Sequence, residues 1–105
     1  MGFNMQKLMK QAQKMQQDMA KIQEELRNTE VEGVAGGGMV KVLANGGSEI
    51  LSISIDPEII DPDDPEMLED MVLAAVKDAL AAAAALSVEK MGSVTGGMGL
   101  PGGMF

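Results

Sequence analysis

The chain contains no cysteine, histidine, tryptophan or tyrosine, and Phe3 and Phe105 are its only aromatic residues. The missing thiols and imidazoles exclude disulfides, thiolate nucleophiles, histidine general bases and the usual zinc ligands. No nucleophile and base stand at a recognisable spacing, so the sequence is read as a non-enzyme with no cofactor, no metal and no small-molecule substrate. The missing aromatics exclude a second class of activity. Proteins that hold single-stranded nucleic acid stack its bases on Phe, Tyr or Trp, and neither phenylalanine lies inside the expected fold. By hydropathy no stretch approaches the 18 or so apolar residues of a membrane span, and the N-terminus is too polar for a secretory signal. The expectation is a soluble cytoplasmic protein with no membrane partner.

What is present is aliphatic and acidic. Apolar residues make up 46% of 105, eleven of them methionine, enough for one domain with a core of Leu, Ile, Val, Ala and Met. Sixteen acids against eight bases give a net charge of −8, the opposite of a simple basic DNA-binding domain. The charge is segregated, however. Through Asn28, the bases Lys7, Lys10, Lys14, Lys21 and Arg27 outnumber Asp18, Glu24 and Glu25. Beyond it Lys41, Lys77 and Lys90 are the only bases, while Asp56, Glu58, Asp61, Asp63, Asp64, Glu66, Glu69 and Asp70 follow one another with none between them.

Hydrophobic spacing orders the elements. Met5, Leu8, Ala12, Met15, Met19, Ile22 and Leu26 alternate steps of three and four, the seam of a coiled-coil-like helix from about Asn4 to Asn28. Two alternating runs follow, with Val40, Val42 and Ala44 and then Leu51, Ile53 and Ile55 on their buried faces, and residues 29–35 form a weaker strand before them. Asn45-Gly46 between the runs signals a hairpin whose turn residues tolerate positive φ. The Gly36 to Gly38 triplet reads as a turn or bulge rather than a phosphate cradle, because it lacks the Lys-Ser/Thr ending of a P-loop.

Three prolines make residues 56–65 a loop, and its end is a helix start, with Asp64 as cap, Pro65 at the first helical position and Glu66 at the positive end of the dipole. The second helix is expected from Pro65 to Met91, with an apolar stripe of Leu68, Val72, Ala75, Val76, Ala79, Ala83 and Leu86. The acids of residues 56–70 do not fit a calcium loop, since Pro65 and Glu66 stand where an EF-hand begun at Asp61 needs a ligand and its glycine. Gly97 to Gly102 matches G-x-G-x-x-G, but no strand precedes it and Pro101 blocks helix entry.

The fold class that results is α+β: α-β-β-β-α with a three-stranded antiparallel sheet and two long projecting helices. One domain spans residues 1–91, and residues 92–105 form a glycine-rich flexible tail. Helices longer than the sheet leave an apolar seam uncovered, which points to a dimer. In the heptad register Lys7, Lys14 and Lys21 share one position and Lys10 lies beside them, on the face opposite the seam. Such a column is either an ordinary solvated helix face or a contact for the phosphates of duplex DNA. The glutamines around it, Gln6, Gln11, Gln13, Gln16 and Gln17, leave it without neutralising acids.

Residues 37–46 (GGMVKVLANG), 53–80 (ISIDPEIIDPDDPEMLEDMVLAAVKDAL) and 89–102 (EKMGSVTGGMGLPG) strongly resemble the bacterial YbaB/EbfC family of nucleoid-associated proteins. The likeness covers essentially the whole chain. It implies a cytoplasmic, nucleoid-associated homodimer without catalysis, its sheets joined at the centre and its paired helices projecting as arms that grip DNA. By position the resemblance gives Lys7, Lys10, Lys14 and Lys21 the DNA contacts. The second helix departs from the family pattern in carrying only Lys77 and Lys90. The competing function is a protein-interaction adaptor whose arms and tail dock another protein without binding DNA.

Overall fold

In the computed structural model, which describes residues 4–97, the chain forms α1 (Met5–Arg27), β1 (Glu30–Ala35), β2 (Val40–Asn45), β3 (Ile50–Ile55) and α2 (Pro65–Gly97). Short 3-10 turns at Gly36–Gly38 and Pro57–Ile59 link β1 to β2 and β3 to α2. The sheet is antiparallel in the order β1-β2-β3, so the expected α-β-β-β-α architecture is the observed one. α1 starts where Asn4 Oδ1 accepts the Lys7 N–H at 3.2 Å, and α2 where Asp64 Oδ1 accepts the Met67 N–H at 3.2 Å. These side chains satisfy amides that the first turn of a helix leaves unpaired.

The core is thin. Val40, Val42 and Ala44 of β2 are fully buried against Ala75 and Ala79 of α2, with Val31, Ala35, Val72 and Val76 packed around them. Gly33 of β1 lets the helix come this close. A Cβ there would overlap the backbone nitrogen of Ala79 and the carbonyl of Ala75, so glycine on the strand and alanine on the helix together set the distance between the layers. The apolar stripe expected on the second helix is thus the face that packs on the sheet.

Four details differ from the sequence reading. First, β3 is not a regular strand throughout, for it carries a bulge at Leu51. The β2–β3 register shifts at Leu43/Ala44, which pairs Ala44 with Ile50 and leaves Leu51 as the extra residue of a bulge. Ile50, Ile53 and Ile55 therefore point to the helix side, opposite Ala44, Val42 and Val40. α2 lies over β1 and β2, however, so Ile50, Leu51 and Ile53 remain 40%, 48% and 47% exposed.

Second, the hairpin turn takes its left-handed residue from Ser48 (φ 65°) and not from Asn45 or Gly46. The Ser48 N–H closes the turn onto the Asn45 carbonyl at 3.0 Å, while Asn45 Oδ1 accepts the N–H groups of Gly47 and Glu49. Gly46 is needed for space, since a Cβ would stand 2.7 Å from Leu26 Cδ2. The positive φ values expected of a hairpin glycine occur instead at Gly36, Gly37 and Gly38 (61°, 67° and 93°), where only glycine turns this way without strain.

Third, α2 runs six residues past Met91, to Gly97. Residues 92–97 of the expected tail at 92–105 thus belong to α2, and the rest of that tail lies outside the described residues, as does most of the G-x-G-x-x-G match. Fourth, Pro65–Gly92 is long and apolar enough to cross a membrane by length and composition, with a mean hydropathy of 1.8 in its most apolar window, against the expectation that no segment is. Only 17% of that window is buried in the fold, and Ala75 and Ala79 pack in the core against β2.

Candidate nucleic-acid interface

α1 is a rod about 35 Å long at 1.5 Å per residue, and only its C-terminal part is attached. Ile22 and Leu26 are buried, Met19 is half-buried, and every residue from Asn4 to Gln17 is exposed. The attachment is specific. The Gly46 N–H donates to the carbonyls of Leu26 (2.8 Å) and Thr29 (3.0 Å), which ties the hairpin turn to the end of the helix. Thr29 Oγ1 donates to the Glu25 carbonyl at 2.7 Å, and Lys90 Nζ on α2 lies 3.6 Å from Glu25 Oε2. The expected seam is consequently a packed contact at Ile22 and Leu26 and an open stripe at Met5, Leu8 and Met15, which are 62%, 46% and 39% exposed.

Lys7, Lys10, Lys14 and Lys21 are all exposed. At about 100° per residue their side chains fall within an arc of about 60°, roughly 140° around the helix from the seam. The ridge they form is about 21 Å long, or about six phosphate steps of one DNA strand. Lys90 with Glu25 is the only ion pair among the described residues, and it involves none of the four. No acid occupies the first turn of α1, so the positive end of the helix dipole adds to the ridge.

The acidic run that begins at Asp56 starts from the other end of the sheet. Asp56 follows β3 and donates its N–H to the Met39 carbonyl at 2.8 Å, beside the glycine turn, whereas α1 joins at the opposite strand ends through Gly46. Strands of six residues separate the two ends by about 20 Å, more than twice the Debye length of about 8 Å at physiological salt. The acidic loop therefore does not neutralise the ridge. Asp56 and Asp61 turn their carboxylates onto the Glu58 and Asp63 N–H groups, and Asp64 caps α2. Among the described residues no group of three or more acids could hold a metal ion.

The YbaB/EbfC DNA-binding family matches this chain over residues 1–98. The chain belongs to that family. Its relatives include a nucleoid-associated protein of Pelotomaculum thermopropionicum, 59% identical over 97% of each chain. Another, from Desulforamulus reducens, is likewise called a nucleoid-associated protein and is 59% identical over 97% of each chain. An uncharacterized protein of Helicobacter pylori, known from a crystal structure, shares the fold with a TM-score of 0.72. It is 23% identical, over 91% of this chain and 97% of its own.

Sequence reasoning missed one side chain that the structure makes prominent in this YbaB/EbfC member. Asp78 of α2 accepts the Val34 N–H of β1 through Oδ2 at 3.0 Å. Forty-four residues separate the two, and beside Lys77 in an alanine-rich helix Asp78 reads as an ordinary solvated charge.

Proposed function

We propose that this family member acts as a homodimer that binds duplex DNA through its phosphate backbone, with low sequence specificity, as a nucleoid-associated protein of the cytoplasm. The observation that carries this reading is the exposed ridge of Lys7, Lys10, Lys14 and Lys21, set on an arm away from the acidic loop. Flexible ammonium groups recognise phosphate as point charges, and contacts to phosphate carry no base information. With no aromatic residue between Asn4 and Gly97 there is no platform for stacked single-stranded bases. The names of the relatives point the same way.

The homodimer draws its support from β3. Its sequence, ILSISI, is uncharged, and its apolar side chains are exposed on a sheet edge that α2 does not cover. A second copy placed there covers Ile50 and Ile53 and brings a second lysine ridge to the same duplex. Neither catalysis nor a cofactor enters this reading.

The test is a duplex-binding titration at two salt concentrations, with light scattering to give the mass. Eight phosphate contacts, four from each chain, make log K fall against log salt with a slope of about −7, at about −0.9 per contact. A complex indifferent to salt, or none at all, removes the reading. The adaptor alternative rests on the open stripe of Met5, Leu8 and Met15. It is favoured if the protein ignores DNA while retaining one consistent protein partner that Met15→Glu releases.

A further inference from the structure

We propose that the two edges of the sheet have opposite tasks: β3 accepts a second copy of the chain, while β1 is closed by carboxylates, with Asp78 as its stop, so that assembly ends at two chains. This rests on the homodimer reading above and adds what limits it.

A three-stranded sheet has two free edges, and the ladder shows which backbone groups each presents. In antiparallel pairs, alternate residues turn their N–H and C=O inward or outward. The Asp56 N–H bonds the Met39 carbonyl, so in this register Ser54 and Ser52 face β2, and Ile53 and Ile55 present their backbone groups at the open edge. On the other side the Gly46 N–H bonds the Thr29 carbonyl, which turns Val31, Gly33 and Ala35 inward and Glu30, Glu32 and Val34 outward.

The outward sets differ in chemistry. On β3 they lie in a strand with no charge. On β1 two of the three belong to glutamates, and the third, the Val34 N–H, is already taken by Asp78. Asp78 is held at this edge by the packing beneath it, because its neighbour Ala79 sits directly on Gly33. A strand approaching β1 must displace one carboxylate and lie against two more, whereas a strand approaching β3 meets apolar side chains and unpaired backbone. Charged side chains on edge strands are a known defence against such pairing.

The symmetry matters because the two pairings have different outcomes. β3 against β3 about a twofold axis uses up the open edge of both copies and closes. β1 against β3 is head-to-tail and leaves one open edge at each end, so it continues without limit. Asp78 is thus a positioning residue for assembly, acting through the Val34 amide.

Sedimentation velocity over a concentration series tests this with full-length wild type, Asp78→Asn and the double variant Asp78→Ala/Glu32→Thr. Wild type stays at two chains, and so does Asp78→Asn, whose amide oxygen still accepts from Val34. The double variant gives a weight-average mass at least twice that of wild type at the highest concentration, and adding Ile53→Pro abolishes the growth without removing a bond of the β2 ladder. Hydrogen exchange gives a second readout that needs no double variant: the Val34 amide is at least tenfold more protected than the outward Glu32 amide in wild type, and loses that protection in Asp78→Ala. A folded double variant that stays at two chains overturns the proposal and leaves the homodimer standing, as does an unprotected Val34 amide. A wild type that is monomeric at every concentration overturns both.

Discussion

Replacing Lys7, Lys10 and Lys14 with glutamine in both chains of the dimer leaves Lys21 as the one cation of each ridge. All four lysines are exposed, and none enters the one ion pair among the described residues, so no salt bridge inside the protein confounds the change. Glutamine and lysine have nearly equal helix propensities, which keeps α1 intact. At about 0.9 per phosphate contact, the slope of log K against log salt falls from about −7 to about −2. Between 50 and 200 mM salt, wild-type affinity then drops by about four orders of magnitude and that of the variant by about one. Fluorescence anisotropy on labelled duplexes of two unrelated sequences, with circular dichroism to confirm the helix content, measures both. The loss should be the same for either sequence, because phosphate contacts read none. A variant slope equal to that of wild type, or a loss confined to one duplex, refutes the assignment of the ridge.

Three further outcomes follow from the geometry. Gly33→Ala pushes a methyl group into the α2 backbone at Ala75 and Ala79, so denaturant unfolding should show a loss of about 1–3 kcal/mol or more, as for other overpacked cores. Ile53→Glu places a charge on the exposed helix side of β3, and light scattering should find the mass of one chain with an unchanged far-UV spectrum. Asn45→Ala removes the buried acceptor of the Gly47 and Glu49 N–H groups and the donor to Glu49 Oε1 at 2.8 Å. Its expected cost is about 1–3 kcal/mol of stability in the same denaturant assay.

How much of this was legible in the sequence depended on whether the signal was local. Asn4, Asp64 and Pro65 mark the helix starts because a cap acts within three residues, and the alanine stripe of α2 follows from helical period alone. The lysine ridge is equally a matter of spacing. The bulge at Leu51 was hidden, because it depends on how β3 aligns with β2 and not on the ILSISI run alone. That β3 lies outside the cover of α2 was hidden for a related reason: alternation marks a face as apolar but does not say which molecule covers it. Gly46 was assigned to a backbone requirement, whereas the structure uses its lack of a side chain against Leu26, a contact between residues twenty positions apart. The hydrogen bond between Asp78 and Val34 spans forty-four residues, and nothing near either residue announces it.

The seating of α2 on Gly33 also has a mechanical consequence. The helix is a single unbroken rod from Pro65 to Gly97, so its far end stands about 27 Å from the glycine contact at Ala79, with Ala83 buried and Lys90 tied to Glu25 along the way. Rocking it by about 5° moves the far end by about 2 Å at that length. In the homodimer proposed above, bulk added at residue 33 therefore shifts that far end, and with it the α1 terminus that Lys90 holds through Glu25.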